Sequence, residues 1–518
     1  MTTAAKRTAE NRIAMKRCLT TTLVILSTLT SIPAAASPTR TAAPSKISWH
    51  GCARGADDDV GSALDQAGAQ CGDLTVPLDY RRPQGRTITV AMSRLPARNR
   101  AERRGVLMVN TGGPGGSALA DVLAIRDWTG DVGARFDLIG LDPRFVGRST
   151  ALDCDWPVST WIRGSGPDRA AFDRVAAFEA DLARRCGTGP VDVLPFATTR
   201  NTARDMDRVR QALGESQISY LGYSYGTYLG SVYSQMFPGR TARMVLDSAV
   251  DPTSYGPRLL RPAGPANEAG LRDWAGWAAR RNRQLHLGDS TAAVLATVDR
   301  IRARAALRPL RVGPFQLDQG VVTALLLDGL GDDRDEPSAD LASRVQVLER
   351  AARGLPAPPT PSLAEALTFF LTGSESSYGS VQAAVLCGDV AAPRDPQVYW
   401  RDIRRAGVSE PRFATVTRNL GPCAFWPTKP RERPTVVHNS APALIVQSTG
   451  DTRTSYAGAQ ALHRALTGSR MLTLANARIH AVFGNYAHAC VDDRVRRYLD
   501  DGVLPATDLT CAGGGQPR

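Results

Sequence analysis

Three residues in this chain have the types and the order needed for nucleophilic acyl transfer: Ser224, Asp451 and His480. A serine hydroxyl attacks a carbonyl only when a base takes its proton. The base in turn needs a carboxylate to fix its tautomer and orientation. Ser224 sits in Gly222-Tyr-Ser-Tyr-Gly226, after the apolar run ISYLGY and before TYLGSVYSQMF. That is the setting of a G-x-S-x-G elbow, in which glycines two residues to either side allow a tight strand-to-helix turn and the serine projects from its apex. In chains built this way the acid and then the histidine follow the serine. Asp451 stands just beyond ALIVQST, and His480 closes the strand-like MLTLANARI 29 residues later. Asp451 also reads as a turn or helix-capping aspartate, and His488 is a rival base. His50, His286, His438 and His463 fit less well, His463 because it falls on a helix between acid and base.

The oxyanion of such a reaction needs two backbone N–H donors. Tyr225, next to the serine, supplies one. The glycine loop TGGPGGS (111–117) is the candidate source of the other, with Gly113 preferred and Gly112 second. Glycine there lets a peptide turn its N–H into the site with no side chain in the way. A plain turn is the alternative. A phosphate loop is excluded by the missing lysine of GxxxxGK[ST] and the wrong spacing for GxGxxG.

Strands and helices must hold these groups in place. LTVPLDY (74–80) and RTITVAMSRLPA (86–97) read as a hairpin across RRPQG, and GVLMVN (105–110), RFDLIGLD (135–142), ISYLGYS (218–224) and TARMVLDSAVD (241–251) read as buried strands. Residues 199–213 carry a helical pattern with Ala203, Met206, Val209 and Leu213 on one side. Strands alternating with helices predict an α/β fold with a mostly parallel sheet and helices on both faces. From 253 to 430 the pattern turns helical and irregular, with Trp274, Trp277, an amphipathic stretch at 288–308 and the turns PLRVGP and GLPAPPTPS, as expected of an inserted cap. Strands return at APALIVQSTGD (441–451) and RMLTLANARIH (470–480), with helices at 456–466 and 491–502. The expected division is a first core part at 37–252, a helical cap at 253–430 and a second core part at 431–518.

Residues 1–36 carry five positive charges and one negative, an apolar stretch LTTTLVILSTLTSI and then PAAAS, the pattern of a secretory signal peptide cleaved after Ala36. Cleavage lowers the formal net charge from +13 to +9. The apolar stretch is too short and too rich in Thr and Ser to span a membrane, and no second run reaches the roughly 18 residues a span needs. No stable membrane insertion is expected. The remaining arginines are scattered without aromatic interleaving, so no nucleic-acid partner is expected either. Eight of the nine cysteines follow the leader, an even number that suggests four disulfides in an oxidising compartment. Neighbour pairing is the expectation: Cys52–Cys71, Cys154–Cys186, Cys387–Cys423 and Cys490–Cys511. With no CxxC, no metal site and no cofactor are expected.

Over nearly all of the mature length the chain resembles the secreted actinobacterial α/β-hydrolases of the tripeptidyl aminopeptidase type, including the mycelium-associated serine proteinases, with the prolyl aminopeptidases as wider relatives. The resemblance rests on CGDLTVPLDYRRPQG (71–85), NTGGPGGS (110–117), FDLIGLDPRFVGRS (136–149), YLGYSYGTYLG (220–230), FPGRTARMVLDSAVDP (237–252), VQSTGDTRTSYAGAQAL (446–462) and CVDDRVRRYLDDGVLPATDLTC (490–511). It implies the α/β-hydrolase fold, with Ser224 as nucleophile, Asp451 as acid and His480 as base. It also implies an extracellular or cell-wall-associated exopeptidase acting on peptides or on small esters or amides. An esterase with the same triad, or a non-catalytic binding protein on the same scaffold, are the alternatives. Three motifs depart from the family pattern: Thr111 replaces the histidine of HGGPG, Phe145 replaces a glycine of D-x-R-G-x-G-x-S, and Ile479 and Ala481 flank the histidine where the family has glycines. A helical cap over such a site would restrict entry to chain ends, and an acid in the cap would bind the substrate's free α-amine; Glu268, Asp273 and Glu375 are candidates among which the sequence does not select.

Overall fold

Apolar runs of five or six residues, buried on both faces, form the middle of one sheet in the computed structural model, which describes residues 46–513. The expected leader and its cleavage site lie outside the described residues. The strands are β1 (Ser48–His50), β2 (Gln70–Pro77), β3 (Thr87–Leu95), β4 (Val106–Asn110), β5 (Asp137–Leu141), β6 (Ile218–Tyr223), β7 (Thr241–Asp247), β10 (Ala443–Ser448), β11 (Ser469–Ala475) and β12 (Leu509–Ala512). Their order is β1-β2-β3-β5-β4-β6-β7-β10-β11-β12. Pairing is antiparallel from β1 to β5 and parallel from β5 onward. This is the α/β-hydrolase arrangement.

Alternate residues of each strand enter different cores, as a two-residue period requires. Met108, Ile139, Tyr220 and Ile445 pack on one face with Ala203, Met206 and Val209 of the helix Thr199–Ala212 and Leu229 and Val232 of the helix Tyr225–Met236. Leu107, Leu138, Leu221 and Leu444 pack on the other with Val122 and Ile125 of Asp121–Thr129 and Val495 and Leu499 of Ala489–Asp501.

Between Asp247 and Ala443 the chain adds no strand to this sheet among the described residues. It forms mainly helices, with a third apolar cluster around Trp274, Trp277, Val298, Leu325, Val345 and Leu363. The segment read as the turn PLRVGP is a small antiparallel hairpin, β8 (Leu310–Val312) with β9 (Phe315–Leu317). Gly313 turns its corner at φ +54°. A helix that local pattern did not reveal, Arg169–Thr188, is capped by the Asp168 carboxylate accepting from the Ala171 N–H. The four cysteine pairs join as neighbours: Cys52–Cys71, Cys154–Cys186, Cys387–Cys423 and Cys490–Cys511. Loops of this length restrict the unfolded chain by an amount worth on the order of 3 kcal/mol per bridge.

Candidate active site

The sheet register decides which loops meet. Asn110 pairs with Gly222, Tyr223 with Asp247, Val446 with Asp247, and Ser448 with Leu474. The segments leaving β4, β6, β7, β10 and β11 therefore emerge side by side at one edge, where open parallel sheets bind their ligands.

Ser224 occupies the turn between β6 and the helix Tyr225–Met236 at φ +54° and ψ −123°. A non-glycine residue in that region costs of order 1–3 kcal/mol and persists only where its surroundings enforce it. Here the Ser224 N–H donates to Asp247 O at 2.9 Å, and Ser224 O accepts from the Thr227 N–H at 2.9 Å and its hydroxyl at 2.6 Å. The flanking glycines allow the crossing. A Cβ on Gly222 would come within 2.6 Å of Gly226 O, and one on Gly226 within 2.5 Å of Asn110 O.

The 111–117 loop lies against the serine: a Cβ on Gly112 would sit 3.0 Å from that of Ser224. The Gly112 N–H is committed to Asn110 Oδ1 at 3.2 Å. Among the described residues neither the Gly113 nor the Tyr225 N–H has a protein acceptor, so both remain available to a ligand.

Asp451 and His480 come together, with Nδ1 3.0 Å from Oδ2 and 3.1 Å from Oδ1. Asp451 is fully enclosed and accepts further from the N–H groups of Arg453 (2.7 Å) and Thr454 (3.0 Å), the Thr454 hydroxyl (2.7 Å) and Gln447 Nε2 (3.2 Å). Burial opposes its charge, but His480 and those N–H donors outweigh burial and hold its pKa below the ordinary carboxylate value. A carboxylate at Nδ1 assigns the proton to that nitrogen and leaves Nε2 free to accept one. His488 goes elsewhere: its Nε2 meets Ala512 O at 3.0 Å.

His480 lies in a loop, since β11 ends at Ala475. Its N–H donates to Gly331 O at 3.0 Å, and Ile479 O accepts from the Ser448 hydroxyl at 2.7 Å. The next three N–H groups are all bound at the end of β7: Ala481 to Ser248 Oγ (2.8 Å), Val482 to Asp247 Oδ1 (2.9 Å) and Phe483 to Asp247 Oδ2 (2.7 Å). Asp247 thus supports both the turn of Ser224 and the loop of His480. Burial pushes its pKa up to about 6 despite these donors.

Two of the replaced family glycines adopt positive φ: Phe145 at +72° and Ala481 at +65°. Both pay a backbone cost that glycine would not, and Phe145 offsets it with a fully buried ring. Of the three candidate amine-binding acids, Glu268 is occupied, accepting from the N–H groups of Arg412 (2.6 Å) and Phe413 (3.2 Å). Asp273 and Glu375 are exposed, and Glu375 begins the helix Ser376–Asp389. Sequence reasoning missed Thr454, Gln447, Asp247 and Asn110. The Asp-Thr-Arg-Thr spacing is a local turn signal that points to Thr454; nothing local marks the others.

Comparison with known proteins places this architecture in context. A family model described as TAP-like protein matches residues 411–511, beginning 20 residues before the expected second core part. The tripeptidyl aminopeptidase of Streptomyces lividans is 36% identical over 505 residues, spanning 92% of this chain and 88% of that protein. The serine protease Hip1 of Mycobacterium tuberculosis is 31% identical over 481 residues (86% and 87%), and a carboxylesterase B of the same species is 32% identical over 495 residues (90% of each).

Proposed function

The chain belongs to the tripeptidyl aminopeptidase-type family of α/β-hydrolases, and from that premise we propose that it is an exported serine exopeptidase that releases short peptides or amino acids from free N-termini. The observation that carries the reading is the enclosed Asp451–His480 pair, 3.0 Å apart and bound through Asp247 and Ser248 to the strand end that also holds Ser224.

In this mechanism Ser224 Oγ attacks the substrate carbonyl while His480 Nε2 takes its proton. Asp451 stays ionised and stabilises the imidazolium through Nδ1–H. The N–H groups of Gly113 and Tyr225 receive the oxyanion, and one such donor is commonly worth about 10²–10³ in kcat. His480 then protonates the leaving amine. Water, activated by the same histidine, cleaves the acyl-enzyme and restores the serine. Residues 253–430 act as a cap that limits entry to chain ends, and Glu375 or Asp273 receives the free amine, Glu268 being already occupied. Four disulfides suit an oxidising compartment, and no helix among the described residues is long and apolar enough to cross a membrane.

The identity with a carboxylesterase favours a second reading, an esterase with the same triad. Rates on aminoacyl-, dipeptidyl- and tripeptidyl-anilides beside p-nitrophenyl esters separate the two, with Ser224→Ala as control. Amidase activity dependent on Ser224 is expected. Fast ester turnover with no amidase activity sinks the peptidase reading, and activity surviving Ser224→Ala sinks the mechanism.

A further inference from the structure

The helix Ser376–Asp389 touches both sides of the oxyanion hole proposed above, yet supplies neither donor. Its first turns press on the glycine loop: a Cβ on Gly115 would come within 2.8 Å of Tyr378 O and 3.4 Å of Gln382 N. Its last residue, Asp389, lies buried against the starts of two core helices. Asp389 Oδ1 accepts the Thr199 N–H at 2.9 Å, and Oδ2 accepts the Thr199 hydroxyl at 2.5 Å and the Tyr255 hydroxyl at 3.0 Å. Thr199 Oγ1 is also 2.9 Å from the Tyr225 hydroxyl. A threonine hydroxyl has one proton. With that proton given to Asp389, Tyr225 donates and Thr199 accepts. The Tyr255 ring completes the enclosure, stacked on Tyr228 at 3.6 Å and facing Tyr225 at 6.0 Å.

We propose that Asp389 is a positioning residue for the oxyanion hole: through Thr199 it fixes the Tyr225 side chain and hence the direction of the Tyr225 N–H, while its own helix braces the Gly113 loop from the other side. The proposal rests on the reading of Ser224 as nucleophile and Tyr225 N–H as donor. The physical case is one of alignment. A donor stabilises an oxyanion only when it already points at the place where charge develops, so a small rotation of the residue carrying it removes much of its effect. Tyr225 is the first residue of its helix, with no preceding turn to hold it. The chain from Asp389 supplies that restraint from outside.

A pH signature follows from the same geometry. Asp389 is faced by the rings of Tyr225, Tyr228 and Tyr255, by Thr199 and by Arg200, and it lines a cavity with Asp79, Arg81, Arg204, Arg431, Glu432 and Arg433. Burial raises its pKa to about 7, while the Thr199 and Tyr255 donors and Arg200 pull it back only partly. Below that value the carboxyl carries a proton, and its hydrogen bonds from the Thr199 and Tyr255 hydroxyls lose their charge assistance, so the restraint on Tyr225 loosens. Because the folded pKa lies above the ordinary 3.8, ionisation also costs stability as pH rises from 3.8 to about 7. Turnover and stability should therefore move in opposite directions across that window.

The test is steady-state kinetics of the full chain on its best anilide, with wild type, Asp389→Asn, Tyr225→Phe and the double variant. Labelling of Ser224 by a fluorophosphonate is followed in parallel. We expect Asp389→Asn to lower kcat about tenfold to a hundredfold, with KM within about twofold, and to remove from the acid side of the pH profile the component that titrates near pH 7, leaving the acid limb that the His480 base itself imposes. Tyr225→Phe should lower kcat less, and the double variant should be no worse than Asp389→Asn alone, because both cut one chain. Wild-type kcat and an unchanged pH profile in folded Asp389→Asn overturn the proposal, as do losses that simply add. If Asp389→Asn does not fold, Thr199→Val with Tyr225→Phe forms the same cycle one link nearer the site. Failure of the underlying reading looks different: labelling and turnover then persist in Ser224→Ala, whatever Asp389→Asn does.

Discussion

The ends of β7 and β10 are neighbours in the sheet, and each delivers a buried aspartate to the loop of His480, yet their pKa values are shifted in opposite directions. Asp451 has the imidazole and four other donor contacts, and its pKa lies below the ordinary range. Asp247 has two backbone N–H groups and a serine hydroxyl, and burial still drives its pKa up to about 6. Both are fully enclosed, so burial alone does not set the charge: His480 lowers both pKa values, but only Asp451 also hydrogen-bonds the imidazole directly, and only there do the partners outweigh burial. The comparison separates a carboxylate built for charge from one built to hold backbone.

The sharpest way to break that contrast is Asp451→Asn. An amide can present its NH2 to Nδ1 and so stabilise the wrong tautomer, and anilide turnover should fall by about 10³–10⁴ with KM little changed. A fall below about tenfold would remove Asp451 from the role assigned to it.

Asp247→Ala should act differently. It releases the Val482 and Phe483 N–H groups inside the core, and a buried donor left unpaired costs about 1–3 kcal/mol. Urea unfolding should show that loss most fully at the acid end of the range and less above pH 6, where the substitution also relieves the cost of ionising Asp247, with the fall in activity tracking the folded fraction and local disorder of the His480 loop. A large loss of kcat in a fully stable variant would mean that Asp247 takes part in the chemistry directly.

The pH dependence of stability sharpens the pair further. Asp247 has a raised folded pKa, so its ionisation makes the protein less stable as pH climbs from 3.8 to about 6. Asp451 has a lowered one: its stabilising contribution is present above 3.8 and is lost as pH falls through its folded value. Melting temperatures from pH 3 to 7 for wild type and Asp247→Asn should show the downward slope between 3.8 and 6 flattened by the substitution. Identical slopes would show that Asp247 does not titrate there.

The smallest effect belongs to the loop both aspartates serve. Ala481 sits at φ +65° where the family has glycine. Ala481→Gly should stabilise by about 0.5–1 kcal/mol, seen as a small rise in the urea midpoint with turnover kept. A loss of stability would mean that the methyl packs more usefully than the backbone strain costs.

Much of the frame that carries this candidate site is legible in the sequence. The apolar runs fix β4, β6 and β10 because strands buried on both faces have no other composition to use. Glycines at 222 and 226 announce a turn in which backbone crosses backbone, and the chain order of Ser224, Asp451 and His480 follows from the loops those strands deliver. The cysteines join as sequence neighbours because close spacing makes a loop cheap to close. The hairpin β8–β9 was hidden because its strands are three residues each, too short for any period to register.

What the sequence determined by itself, then, is the set of candidate reactive groups and the strands that carry them, since both depend on residue type and local periodicity. What only the tertiary structure decided is which groups meet and which carry charge: His480 rather than His488 at Asp451, Glu268 spent on Arg412 and Phe413, Asp247 shared between two loops, and Asp389 joined to Tyr225 through Thr199. These pairings link residues far apart in the chain, and their electrostatics depend on how much water the packed fold excludes, a quantity that no local stretch of sequence encodes.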